Sequence, residues 1–152
     1  MIRVEEHKPE VSFRQIVSDD FDFLWRLHNA ALREYVEKTW DWDEERQRRL
    51  FAESFDANNG EIIVIGGADA GYLWTAEREM ETILVSIRIL PEYQNRGIGK
   101  KIIEDVLVKS KKPVRLQVLK INPAQNLYKR LGFETISETE THFLMKTKSK
   151  KH

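Results

Sequence analysis

The 152-residue chain contains no cysteine. Disulfides, thiolate nucleophiles, iron–sulfur clusters and cysteine-bearing zinc sites are excluded together. Histidine is sparse as well. His7, His28, His142 and His152 are scattered and form no short ligand pattern such as H-E-x-x-H, so a metal enzyme has no support. Charge of one sign is also missing: twenty-five Lys and Arg balance twenty-five Asp and Glu, for a formal net charge of +0. Recognition of a polyanion such as DNA normally needs a clustered positive face, so nucleic acid is not expected as a partner. Long apolar runs are absent too. The longest, around Ile62 to Ile65, is far short of a membrane span, and the opening MIRVEEHKPE lacks the apolar core of a signal peptide. The reading is a cytoplasmic protein with no membrane partner.

What is present favours a folded enzyme-sized unit. Apolar residues make up 41% of the chain, aromatics 10% and charged residues 33%, too rich in Trp, Phe, Ile and Leu for disorder. A chain of this length buries roughly 70% of its unfolded surface as one domain. With no internal repeat and no dividing linker, a single domain is expected over residues 1–146, followed by a basic, disordered tail over 147–152.

Along the chain, VSFRQIV (Val11 to Val17) alternates Val11, Phe13, Gln15 and Val17 against Ser12 and Arg14, which predicts a first strand. Ser18 or Asp19 suits the cap of a helix running to about Tyr35, whose inner face carries Phe21, Leu24, Leu27, His28, Ala31 and Tyr35. After VEKTWDWDEE, Asp43 can cap a second helix ending near Asp56, before the turn Asn58-Asn59-Gly60. EIIVIGG, GYLWTAER and ETILVSIRIL then read as consecutive antiparallel strands, the last stopped at Pro91. A third helix starts just after Asn95 or Arg96 with Ile98, Ile102, Ile103, Val106 and Leu107 as its apolar stripe. VRLQVL is a further strand, NPAQNLYKRL a helix with Gly132 as its C′ residue, and FETISE and THFLMK a closing pair of strands. The order is β-α-α-β-β-β-α-β-α-β-β. Strands alternate with helices only in the second half, which predicts an α/β protein with a mixed sheet covered on both faces.

The third helix opens on QNRGIGKK, placing Gly97 and Gly99 where helix formers are expected. A helix N-terminus carries free N–H groups and a partial positive charge, and binds phosphate if a ligand can approach its backbone. Glycines remove the Cβ atoms that would block that approach, and Gln94, Arg96, Lys100 and Lys101 add donors and positive charge. A pyrophosphate fits such a turn; glycines that merely shape a strand-to-helix turn are the alternative. Two other phosphate motifs fail. A Rossmann G-x-G-x-x-G needs a glycine where Ile102 stands, and a P-loop needs Ser or Thr where Lys101 follows Lys100.

SIRILPEYQNRGIGKKII resembles the acetyl-coenzyme A signature of the GCN5-related N-acetyltransferases (GNAT), Gln/Arg-x-x-Gly-x-Gly/Ala, here Gln94, Gly97 and Gly99. VLKINPAQNLYKRLGF resembles the family's second segment, an Asn at a strand end followed by L-Y-x-x-x-G-F. The resemblance covers Val11 to Lys146 and implies the GNAT acyl-CoA N-acyltransferase fold. It implies acetyl-CoA as acetyl donor, with no metal. The backbone at Ile87, Arg88 and Ile89 would pair with the pantetheine arm. Asn95, Arg96, Gly97, Ile98, Gly99 and Lys100 would hold the pyrophosphate, and a backbone N–H of the fourth strand would face the thioester carbonyl. Asn122 would hold the cofactor or the parted strands, besides capping the helix after it. Tyr128 would protonate the departing thiolate, as its high reference pKa of about 10 allows.

The family's frequent base position on the fifth strand is Gln117 here, which cannot accept a proton, so the general base is open. Glu81, Glu37, Glu34, His28 and ordered water are the candidates. For the acceptor, the segment between the first two helices offers Tyr35, Glu37, Trp40, Asp41 and Trp42. Aromatic faces beside carboxylates suit a small cationic amine, amino acid or peptide. The same tryptophans could instead cover the core or a homodimer interface. Protein N-terminal or lysine acetylation, a longer acyl group, and a non-catalytic acyl-CoA-binding module are the other readings.

Overall fold

The structure, a computed structural model, describes residues 10–36, 43–57 and 59–148, with the backbone alone over 31–36. Its elements are β1 (Val11–Gln15), α1 (Phe21–Val36), α2 (Glu44–Ser54), β2 (Glu61–Ile65), β3 (Ala68–Glu77) and β4 (Thr82–Ile89). These are followed by α3 (Ile98–Lys109), β5 (Val114–Leu119), α4 (Ala124–Arg130), β6 (Glu134–Glu138) and β7 (His142–Lys146), in the order expected from the sequence. The seven strands form one sheet ordered β1-β2-β3-β4-β5-β7-β6. All neighbours are antiparallel except β4 and β5, which are parallel.

Both faces of the β1–β4 half are covered because its apolar residues alternate. In β2, Ile62 and Ile63 are each 0% exposed but belong to different clusters. Ile62 packs with Leu24 and Leu27 of α1 and with Phe51 of α2. Ile63 shares the larger core with Ile102 and Ile103 of α3, Tyr128 of α4, and Phe133. Trp25, which lies off the apolar stripe read for α1, is 4% exposed, and its ring meets Phe51 at 5.7 Å.

The first strand is shorter than its alternation suggests. It ends at Gln15, and Val17 and Phe13 are 54% and 39% exposed. Among the described residues β1 is an edge strand with β2 as its neighbour, so one flank has no described partner to extend it. Arg14 uses that position to fork onto Asp20, with contacts of 2.8 and 3.0 Å, and onto Asp69 at 2.9 Å. Asp20 also accepts the Val17 N–H at 2.8 Å, so the entry to α1 is held by Asp20 rather than by Ser18 or Asp19. Asp43 does cap α2, accepting from Arg46 N at 3.1 Å. Past β7, Thr147 exchanges hydrogen bonds with Val114 at 2.9 and 3.0 Å, so ordered pairing continues beyond Lys146.

A bulge in β4 determines what each face presents. Trp74 lies opposite Ser86 but Thr75 lies opposite Leu84, which leaves Val85 without a partner on β3. An extra residue inverts the two-residue alternation beyond it. Leu84 therefore shares the α3 side with Ile87 and Ile89, while Ser86 and Arg88 turn toward α1 and α2. β3 and β4 approach closely here: a Cβ on Gly71 would collide with the Arg88 carbonyl oxygen.

Candidate active site

β4 and β5 pair through only two positions, Thr82 with Val114 and Ile83 with Arg115. Beyond Ile83 they diverge into a cleft of about 580 Å³ walled by Leu84–Pro91 and Leu116–Leu119, with Asn122, Tyr128 and His142 also lining it. Every second N–H of a strand faces each neighbour. The β4 amides directed at β5 are therefore left without a strand partner along the cleft.

Ile87, Arg88, Ile89, Gln94, Asn122 and Tyr128 are brought together around this cleft. The Asn122 Oδ1 atom accepts the Ala124 N–H at 2.9 Å and so starts α4. That places Tyr128 inside the first two turns, 9% exposed, with its ring edge-on to Phe133 at 5.8 Å. Gly132, at φ 99°, and a Phe133 N–H bond to the Tyr128 carbonyl at 3.0 Å close the helix behind it.

The glycine turn lies at the end of β4. Gln94 Nε2 donates to the Ile89 carbonyl at 2.8 Å, strapping the turn to the strand. Asn95 and Gly97 adopt φ of 62° and 77°, and Gly97 is the residue preceding α3. Lys101 N closes onto Gly97 O at 3.1 Å, while the first-turn N–H groups before it have no intrahelical acceptor. Asn95, Arg96, Gly97 and Lys100 are exposed, and Ile98 packs against the core. The two glycines have different causes. Gly97 is required by its left-handed backbone. At Gly99 the backbone is helical, and an added Cβ would meet only Ile89 Cδ1 at 3.4 Å, an ordinary contact. Glycine in a helix costs about 1 kcal/mol relative to alanine, and neither conformation nor packing among the described residues requires it there.

On the opposite face of β4 a second cavity of about 250 Å³ lies beneath α1 and α2. Leu27, Val85, Ser86 and Arg88 line both spaces, so the two adjoin at the bulge. His28 stacks on Phe51 at 4.8 Å, and burial together with the nearby Arg88 charge pushes its pKa down to about 4. Tyr72 donates to the Asn59 carbonyl at 2.6 Å, and burial raises its phenol to about 12. Both rings are therefore neutral at pH 7. Desolvation lowers the Arg88 pKa from its ordinary value, but arginine remains charged throughout the physiological range.

Not every expected site residue reaches these cavities. Glu81 precedes the paired end of β4, where it binds Arg115 at 2.8 Å and Lys146 at 3.1 Å. Its pKa is held low, first by the hydrogen bond from Lys146 and also by that from Arg115, and it does not line the cleft. Gln117 lines the cleft and is exposed. Glu37, Trp40, Asp41 and Trp42 lie outside the described residues, as do the side chains of Glu34 and Tyr35. The sequence reading missed Tyr72, Trp74 and the inward side chain of Arg88. The first two alternate within GYLWT and could have been found by their period of two; Arg88 could not, because the bulge moves it.

Residues 48–135 match the Acetyltransferase (GNAT) domain family, more than half of the chain. The chain belongs to the GNAT family. A mouse (Mus musculus) thialysine N-epsilon-acetyltransferase is 35% identical over 83 residues, covering 51% of this chain and 49% of the relative, so the match spans about half the length of each. Among solved structures, the PaiA N-acetyltransferase of Thermoplasma acidophilum, in complex with coenzyme A, superposes with a TM-score of 0.67 at 16% identity, covering 91% of this chain and 99% of that one. An acetyltransferase from Thermus thermophilus gives 0.70 at 16% identity over 92% and 97% of the two chains. At such identities the likeness is one of fold, and it confirms the mixed-sheet GNAT architecture.

The residues of this GNAT domain fit an acyl-coenzyme A. The parted strands give a slot with unpaired amides, and the turn at its end offers free N–H groups flanked by Arg96, Lys100 and Lys101. Gly99, which nothing among the described residues demands, leaves the helix start open to an approaching anion. Among the described residues no group of three metal-ligating side chains comes together, and no helix is long and apolar enough to cross a membrane.

Proposed function

We propose that this protein is an acetyl-CoA-dependent N-acetyltransferase acting on a primary amine. The observation that carries this reading is the two-pair seam between β4 and β5, which opens into a cleft with the glycine turn at one end and Tyr128 in its wall. When bound, acetyl-CoA supplies a thioester whose C–S bond is exchanged for an amide C–N bond, so that the neutral amine yields one proton and the thiol leaves with one. The chain's residues divide the remaining work. Amides of Asn95 to Lys100 hold the pyrophosphate, with charge from Arg96 and Lys100. Backbone of Ile87, Arg88 and Ile89 aligns the pantetheine arm as an added strand. An N–H of the bulged stretch of β4 stabilises charge on the thioester oxygen. Asn122 keeps the strands parted, and Tyr128 donates the proton that leaves with sulfur.

For the base, His28 is neutral at pH 7 but lies among aromatic rings, and Glu81 is already tied up in ion pairs. Ordered water reaching the amine through the second cavity is the route these positions favour, and Glu37 stays a candidate on sequence grounds.

The test is release of free thiol from acetyl-CoA in the presence of a panel of primary amines. Turnover with at least one amine is expected, and Tyr128→Phe should lower kcat by roughly 100-fold while leaving acetyl-CoA affinity within about a factor of two. Tight coenzyme A binding without thiol release from any amine would instead identify a non-catalytic acyl-CoA-binding module.

A further inference from the structure

The second cavity contains a charge that no described residue answers. Arg88 lies directly across from Tyr72 on β3, on the face covered by α1 and α2. Among the described residues its guanidinium has no hydrogen bond and no ion pair; its electrostatic neighbours are the neutral Tyr72 and His28. The Tyr72 hydroxyl proton is committed to the Asn59 carbonyl. Asp56, the acid among the lining residues, is exposed. Most of the other walls are apolar or aromatic, including Leu24, Phe51, Phe55 and Trp74, and the remaining polar ones, Ser54, Asn59 and Ser86, carry no charge. Withdrawing a guanidinium from water without an anion is costly, and such groups are usually found paired. The donor's phosphates are accounted for elsewhere, at the glycine turn past the end of β4. A space of about 250 Å³ that adjoins the cleft at Val85, Ser86 and Arg88 suits a small acceptor whose amine points into the cleft.

We propose that Arg88 recognises a carboxylate of the acceptor, so that the preferred amines carry amine and carboxylate on one small molecule, as amino acids do, in place of polyamines. The planar fork of the guanidinium matches a carboxylate through two parallel hydrogen bonds. The inference rests on the acetyltransferase reading and narrows its substrate class.

The experiment compares kcat/KM with acetyl-CoA for amines paired by the loss of one carboxylate, L-lysine against cadaverine and L-ornithine against putrescine, in the wild type, Arg88→Met and Arg88→Lys. The wild type should favour the carboxylated member by roughly 10- to 100-fold, as expected for hydrogen bonds to a charged group. Arg88→Met should bring the ratio close to one, chiefly through KM, and Arg88→Lys should restore part of it. Because a ratio cancels the folded fraction, a destabilised variant still reports. Equal use of both members by the wild type, or preference for the diamines, overturns the inference and leaves the acetyltransferase reading standing. No thiol release from any amine overturns both. Succinyl-CoA provides the remaining arm: if Arg88→Met abolishes use of that donor but leaves the amine ratio unchanged, the carboxylate belongs to the acyl chain and the inference fails.

Discussion

Arg14, Asp20 and Asp69 show how a few side chains fix a segment that secondary-structure propensity leaves loose. The Asp20 carboxylate takes two guanidinium contacts and a backbone N–H, and its side chain is 10% exposed. The Arg14 hydrogen bonds, with a smaller effect from Val17, hold its pKa below the ordinary carboxylate value against desolvation. A carboxylate with a depressed folded pKa stabilises the fold above its unfolded pKa, and that stability disappears as pH falls through the folded value. Asp20→Asn is therefore expected to lose about 1–3 kcal/mol at pH 7. In urea unfolding followed downward from pH 7, the gap between wild type and variant should stay constant to about pH 4 and then close. A gap independent of pH would mean that the charge of Asp20 is immaterial.

The elements differ in how openly the sequence announces them. α3 and α4 were legible in full, from an apolar stripe at helical spacing in one and from Asn122 and Gly132 at the two ends of the other, because their causes are local. The turn residues Gln94, Gly97 and Gly99 were legible for the same reason. The inner face of β4 was not. Strict alternation puts Leu84, Ser86 and Arg88 on one side, and only the unpaired Val85 sends Arg88 to the other. A bulge depends on the register with β3, which is a long-range property. At the start of α3 the two roles of Gly97 can be separated. Gly97→Val introduces both a strained backbone and a side chain, whereas asparagine tolerates the left-handed region far better. If ligand approach is what the turn protects, both Gly97→Val and Gly97→Asn should weaken coenzyme A binding by about tenfold or more, measured by calorimetry, while Asn costs less in thermal stability. Full affinity in a folded Gly97→Asn would reduce the glycine to a conformational role.

Taken whole, the sheet consists of β1-β2-β3-β4 and β5-β7-β6 joined at two residue pairs and by a Thr82 N–H bond to the Pro113 carbonyl at 2.9 Å. A ligand lying along both halves binds the native state alone, so coenzyme A at a hundred times its Kd should add about 2.7 kcal/mol to the unfolding free energy. For a chain of this size that is a rise in Tm of roughly 5–10 °C, with amide exchange slowed at residues 84–89 and 116–119. No shift in Tm at saturation would contradict the cleft assignment.

The parted seam has a cost of another kind. A sheet normally confines its unpaired donors and acceptors to its two outermost strands, where charge, short length or a covering segment discourages strands of other molecules from joining. Here β4 and β5 expose two more such borders in the middle of the sheet, along the cleft that opens beyond Ile83. Under the proposed function, a slender ligand lying along this cleft would double as self-protection, keeping the interior borders of the sheet from recruiting a neighbour.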